Sequence, residues 1–247
     1  MTAEVYLIDK PVGKSSFAMV RIIRRMLGIK KVGHAGTLDP FASGLLIICA
    51  GRPATKHIEK FMGGRKTYVA TVELGVTTTT HDPEGEVTGR FTVPDLDRET
   101  IDSTLKQFVG RQLQAPPSFS AAKHKGKPLY HYARQGIFIA KEPKEIEIYA
   151  LHCIQYVPPL MEIEVTCSRG TYVRVLGADI GKALGCGGAY LTALRRTVSG
   201  PFHVNDALCV DTLEGDAGKK ILQEAGMSVD NALQQLPQEH IVIPDVA

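Results

Sequence analysis

Three stretches of this chain carry residues whose types and spacing could do chemistry. Residues 33–40, GHAGTLDP, set Asp39 between a pair of glycines and Pro40. The glycines permit backbone angles closed to other residues, and Pro40 biases Asp39 toward an extended conformation. An ionised carboxylate on such a loop could face developing positive charge or act as a nucleophile. An Asp-Pro pair also simply starts turns, and the dipeptide alone favours that reading. Residues 114–136, QAPPSFSAAKHKGKPLYHYARQG, interleave Lys123, Lys125, Lys127 and Arg134 with Tyr130 and Tyr132, and contain no acid. Cations meet phosphates and rings stack on bases, so the mixture suits RNA; a mobile surface loop accounts for it equally well. Residues 10–31 hold Lys10, Lys14, Arg21, Arg24, Arg25, Lys30 and Lys31, again without an acid.

The net charge of +3 over 247 residues names no partner, but its distribution is uneven. Residues 206–247 carry eight acids against Lys219 and Lys220, a net of −6, which leaves +9 for residues 1–205. That split suggests a basic face for a polyanion with an acidic region turned away; a solvated, charge-rich helix explains the basic run as well. Cys49, Cys153, Cys167, Cys186 and Cys209 form no C-x-x-C and no zinc-ligand spacing with histidine, so they read as buried, reduced thiols of a cytosolic protein. No H-x-E with P-C-x-x-C occurs, which disfavours a zinc base deaminase. The first ten residues show no apolar signal core, and no apolar run nears the roughly 20 residues of a membrane span.

The elements that must position these residues follow from the pattern. Val5–Ile8 reads as a strand ended by Pro11 and Gly13. Ser15 or Ser16 can cap a helix to about Leu27, stopped by Gly28, with Val20, Ile23 and Leu27 inward and Arg21, Arg24 and Arg25 largely off that stripe. Residues 33–40 break any regular element, and Leu45–Ala50 is a buried strand. Tyr68, Ala70, Val72 and Leu74 alternate onto one face of a strand, and TTTTHDPEGE is a polar turn or loop. A helix spans 98–109 with Gly110 ending it. Met161–Cys167 alternates as a half-buried strand, and SRG turns the chain into a helix over TYVRVLGADIGKALG, closed by Gly185. Strands and helices interleave irregularly, which favours α+β over a parallel array.

Five motifs together resemble one family. GHAGTLDPFASGLL (33–46), KTY (66–68), PPSFSAAKHKGKPLYHYARQG (116–136), CSRGTYVR (167–174) and LRRT (194–197) occur in the order found in the TruB family of pseudouridine synthases. Any one alone is weak; their joint order is specific. The resemblance implies a pseudouridine-synthase α+β fold, with a mixed, mostly antiparallel sheet, flanking helices and a central RNA-binding cleft. It implies an isomerase that acts on the T-loop of tRNA at position 55, takes the uridine out of its stack, and breaks and re-forms the link between base and sugar. No cofactor and no metal are required.

Residue by residue, the resemblance makes Asp39 the catalytic carboxylate, Arg174 its guanidinium partner and Tyr68 the ring that stacks on the target base. It makes His34 a support for the RNA once the uridine has left. Lys56, Asp82, Tyr172 and Leu194 fall on positions that line the site or meet RNA. Lys123, Lys125, Lys127 and Arg134 belong to a basic insertion near 118–145 that would grip the T-arm. Thr79 departs from the pattern, because many members carry T-D-T-x-x-D around Asp82. Residues 1–200 would form the catalytic domain. Residues 201–247, an acidic tail that completes or flanks it, are too few for a full PUA domain. A monomer without membrane contact is expected. The competing function is a tRNA chaperone that binds without catalysis.

Overall fold

A computed structural model describes residues 3–213 and 215–237. Glu214, Glu239 and Asp245 of the acidic stretch fall outside the described residues. Strand β1 (Glu4–Lys10) passes through the Pro11–Gly13 turn into helix α1 (Ser16–Leu27). Ser15 caps that helix by accepting the Ala18 N–H, and Gly28 ends it in the left-handed region, as its sequence predicts. Val20 and Ile23 are buried while Arg21 and Arg25 are exposed. Strands β2 (Val32–Ala35) and β3 (Ser43–Ala50) follow. Here the structure corrects the expectation of an irregular 33–40. Val32–Ala35 pairs antiparallel with β3, His34 opposite Ile48, and the chain turns irregular only from Gly36. Pairing with a buried neighbour outweighs a glycine's weak strand preference.

Helices α2 (Arg52–Thr55) and α3 (Ile58–Phe61) lead to β4 (Lys66–Leu74), β5 (Val76–Thr78) and β6 (Val87–Arg90). Helix α4 (Arg98–Lys106), capped by Asp97, ends earlier than expected. Gln107, Phe108 and Val109 donate three residues back instead of four, a tightened last turn. Gly110 then opens β7 (Gly110–Gln114). The basic stretch forms a hairpin, β8 (Lys123–His124) with β9 (Lys127–Pro128), and helix α5 (Leu129–Ala133). Next come β10 (Lys144–Val157), β11 (Leu160–Cys167), α6 (Val173–Ala183) and β12 (Ala189–Ser199). The last elements are β13 (Phe202–His203), β14 (Leu208–Cys209), α7 (Gly215–Glu224), β15 (Met227–Ser228) and α8 (Val229–Gln234).

Among the described residues, eleven strands join in one mixed sheet along the path β14-β1-β3-β12-β4-β11-β10-β7, with β2, β13 and β15 on its margins. Most pairs are antiparallel; β3–β12 and β1–β14 are parallel. Burial explains two different sequence patterns. Strands β1 and β3 are covered on both faces. Tyr6, Ile8, Leu46 and Ile48 pack under α1 and α7. Val5, Leu7, Leu45 and Ile47 pack with Phe61, Phe202 and Ala232. Both strands therefore read as continuous apolar runs. Strands β4 and β11 bury one face only, with Tyr68, Ala70, Val72, Met161, Ile163 and Val165 in a core shared with α4 and α6, and their sequences alternate.

The two halves meet where β3 and β12 run parallel, Arg195 opposite Ser43 and Arg196 opposite Gly44. Gly44 sits at φ 101°, and a Cβ there would stand 2.3 Å from the Arg196 carbonyl oxygen. Only glycine lets the strands close at this seam. The loop that carries Asp39 lies just before it.

Candidate active site

The Asp39 loop is clamped from both sides. Ser16, at the start of α1, accepts the Leu38 N–H at 2.8 Å and donates to the Leu38 carbonyl at 3.0 Å through one hydroxyl. Gly13 N–H bonds the Pro40 carbonyl at 2.8 Å, and Ala42 N–H bonds the Asp39 carbonyl at 3.1 Å. Buried Lys10 points its ammonium at the carbonyls of Pro11, Lys14 and Pro40. Burial, against the pull of Asp39, lowers its pKa to about 8. Gly36 rests on the guanidinium of Arg196, which donates to the Leu45 carbonyl at 2.8 Å and the Gly36 carbonyl at 3.0 Å. These bonds fix the backbone on either side of Asp39 and leave its side chain 37% exposed.

Arg174 enters from the first turn of α6, with only 4% of its side chain exposed. Its Nε lies 2.8 Å from Asp39 Oδ2 and its Nη1 3.2 Å from Asp82 Oδ2. Nη1 also donates to the Thr80 carbonyl at 2.6 Å, and Nη2 to the Phe119 carbonyl at 2.8 Å. One planar cation therefore joins three separate segments. Asp82 is buried and fully engaged: Thr80 donates its hydroxyl and Glu84 its N–H to Oδ1. Thr79, the departure from the family pattern, still takes a structural part by accepting the Glu86 N–H at 3.2 Å. Asp39 Oδ1 has no hydrogen-bond donor among the described residues.

A cleft of about 620 Å³ opens over this cluster. Asp39, Arg174, Asp82, His34, Lys123 and Arg134 all line it, so six of the sequence-predicted residues converge. His34 is mostly buried, and its Nδ1 has no partner among the described residues. Burial and then Arg196 lower its pKa, which keeps the ring neutral near pH 7. Tyr68 is absent from the cleft walls. It is 9% exposed, in the core cluster with Leu38 and Phe41. Burial pushes its phenol above the ordinary tyrosine range, with hydrogen-bonded Arg196 pulling the other way and Asp39 near enough to add to the rise.

The remaining predicted residues lie elsewhere. Leu194 is a core residue on β12, opposite Ala70 of β4. Tyr172 caps α6, its N–H and carbonyl tied to the side chain of Gln114 at 2.7 and 3.2 Å. Lys125 and Lys127 are exposed on the β8–β9 hairpin, away from the walls of the cleft. Lys56 is exposed in a different groove, with Pro53, His57 and Asp230. Sequence reasoning missed Lys10, Ser16 and Arg196. Arg196 carried a signal: it shares the parity of Leu194 on β12 and so points inward. Lys10 and Ser16 carried none, since their partners are backbone atoms, those of Ser16 on Leu38 and those of Lys10 on Pro11, Lys14 and Pro40.

No cluster of metal-ligating side chains occurs among the described residues, and no helix there is long and apolar enough to cross a membrane.

Comparison with known proteins fits this geometry. The family model "TruB family pseudouridylate synthase (N terminal domain)" matches residues 24–173, and "tRNA pseudouridylate synthase B C-terminal domain" matches 174–235. The tRNA pseudouridine synthase B of Desulfotalea psychrophila is 53% identical over 236 residues, covering 93% of this chain and 95% of that protein. The protein of the same name from Dechloromonas aromatica is 45% identical, covering 94% and 77%. Among solved structures, a chain of a Cbf5–Nop10–Gar1 complex aligns with a TM-score of 0.71 at 27% identity. The alignment covers 95% of this chain and spans 62% of the solved one. The α+β fold is thus that of pseudouridine synthases, and the chain belongs to the TruB family of pseudouridylate synthases.

Proposed function

We propose that this chain isomerises the T-loop uridine of tRNA at position 55 to pseudouridine, with Asp39 as its catalytic carboxylate. The relatives named tRNA pseudouridine synthase B support the reaction and the substrate class. The observation that carries the role of Asp39 is its paired carboxylate at the mouth of an otherwise buried network, 2.8 Å from Arg174.

The reaction breaks the bond from uracil N1 to ribose C1′ and makes one from C5 to C1′. A proton leaves C5 and N1 gains one, so the product is an isomer. The base must leave its stack, turn and reattach, which needs a walled pocket and a fixed negative charge. Asp39 supplies that charge, either beside C1′ or by adding to the base; both roles use the same side chain. Arg174 orients the carboxylate and is itself anchored by Asp82. Tyr68, its phenol kept protonated by burial, serves as a ring and a donor under the floor. Neutral His34 fills the wall beside the extruded nucleotide. Lys123 and Arg134 meet T-arm phosphates. In this reading the protein works as a monomer in the cytoplasm. Residues 1–200 are its catalytic domain, and the acidic stretch that follows completes or flanks it.

Asp39→Asn keeps the shape and removes the charge. It is expected to abolish pseudouridine in a tRNA transcript, read by mass-shift mapping, while tRNA binding stays within a few-fold of the parent. Full turnover by that variant would remove the catalytic assignment. A parent chain that binds tRNA but forms no pseudouridine would leave only the chaperone reading.

A further inference from the structure

Two aromatic–arginine pairs stand at the Asp39 cleft on different elements, with both rings and Arg134 in its wall. On α1, Phe17 is 56% exposed, with the Arg21 guanidinium carbon 5.9 Å from its ring centre. On α5, Tyr130 is 40% exposed, with Arg134 5.4 Å from its ring centre. Each arginine sits four residues after its ring, one helical turn away. Phe17 and Tyr130 both belong to the cleft wall.

Phe17 has no packing role to explain its size. The buried stripe of α1 is Met19, Val20 and Ile23, and Phe17 lies off it. A large exposed ring carries a hydration penalty that folding does not recover here. Its own segment is cationic, with Lys14, Arg21 and Arg25 and no acid between residues 10 and 31, while the acids of the cleft wall, Asp39, Asp82 and Glu84, come from other loops. No described ion pair ties these cations to a carboxylate: Arg174 is paired with Asp39 and Asp82, Arg195 with Asp9, and none of the segment's own is engaged. A bare π-face beside unpaired arginines suits an unpaired nucleotide, whose base stacks and whose phosphate meets the cation.

We propose that Phe17 is a stacking platform for a nucleobase adjacent to the target uridine, with Arg21 on that nucleotide's phosphate. Tyr130 and Arg134 form the matching jaw on the other wall. The two pairs hold the RNA on either side of the extruded base while Asp39 acts between them. This rests on the reading of the cleft as a uridine site. Phe17 offers no hydrogen bonds, so the platform fixes position and tolerates sequence.

The test uses the full chain and T-arm stem-loop RNAs with 2-aminopurine on the 5′ or the 3′ side of the target. Binding to the parent is expected to quench one of the two probes. Phe17→Ala should weaken binding roughly tenfold, within the range for one stacked base, and lose that quench. Phe17→Trp should restore both. Phe17→Leu keeps the apolar bulk without the π-face and should behave like the alanine variant; parental affinity and quench in Phe17→Leu would overturn the platform. So would a Phe17→Ala dissociation constant within twofold of the parent, or a loss confined to kcat. A parent that quenches the probe yet makes no pseudouridine sinks the proposed reaction and leaves the platform standing.

Discussion

At the scale of single residues, the site depends on one cation serving two carboxylates. Arg174 is buried, and its nitrogens reach Asp39, Asp82 and the carbonyls of Thr80 and Phe119. Removing it leaves Asp82, with 5% of its side chain exposed, as an uncompensated buried charge. Arg174→Ala is therefore expected to lose about 3–5 kcal/mol of stability, read by urea denaturation, besides all measurable turnover. Arg174→Lys returns the charge without the planar fork, so it should recover part of the stability and little activity. An alanine variant as stable as the parent would show that Asp82 does not need this partner. The family resemblance marked Asp39, Arg174 and Asp82 through its motifs, and the structure brings the three side chains together. It gave no sign of Ser16 and Lys10, which act on backbone atoms of segments 22 to 30 residues away. Any residue able to reach those atoms would look the same in the string.

At the scale of elements, the seam between β3 and β12 decides where the Asp39 loop can sit. Gly44 has a φ of 101°, and its Cβ position falls 2.3 Å from the Arg196 carbonyl oxygen. Gly44→Ala combines a disfavoured backbone with a backbone clash, and should cost on the order of 3 kcal/mol or more. Gly170 also has a positive φ, 89°, but nothing lies within 4 Å of its Cβ position. Gly170→Ala should cost only about 1–2 kcal/mol. Equal urea midpoints for the two variants would show that the close approach at the seam adds nothing. The seam itself was not legible in advance. Helix α1 was, because Ser15, Gly28 and the apolar stripe are local signals. Strands β1, β3, β4 and β11 were legible from their apolar pattern. Strand β2 was hidden by its glycine, and the parallel β3–β12 pair joins residues about 150 apart with no local trace. Long-range pairing is what a periodicity cannot carry.

At the scale of the whole molecule, charge is sorted by position around the cleft. No described residue beyond Arg174 lines it, so the described part of the acidic C-terminal stretch stays out. That stretch packs instead through apolar contacts, Leu213 and Leu222 joining the core beneath α1, and β14 and β15 pair with β1. No described ion pair joins its acids to the cations of residues 10–31. The second face of the main sheet carries Glu73, Glu162 and Glu164 on β4 and β11, beside Arg195 on β12. On the proposed reading RNA enters this cleft, where Lys123 and Arg134 are the cations free to meet phosphates beside the acids Asp39, Asp82 and Glu84 of the same wall. Binding that releases counterions should weaken linearly in log salt, with each phosphate-contacting cation contributing a slope of about one unit or slightly less. Lys123→Gln and Arg134→Gln, both on the cleft wall, should each lower the slope of tRNA affinity against salt by about that amount. Lys56→Gln, in a separate groove with Asp230, should leave it unchanged. Filter binding between about 50 and 200 mM salt reads all three. A reduced slope for Lys56→Gln, with the two cleft variants unaltered, would place the RNA on the wrong side of this molecule and move the search for its path to the groove beside α2.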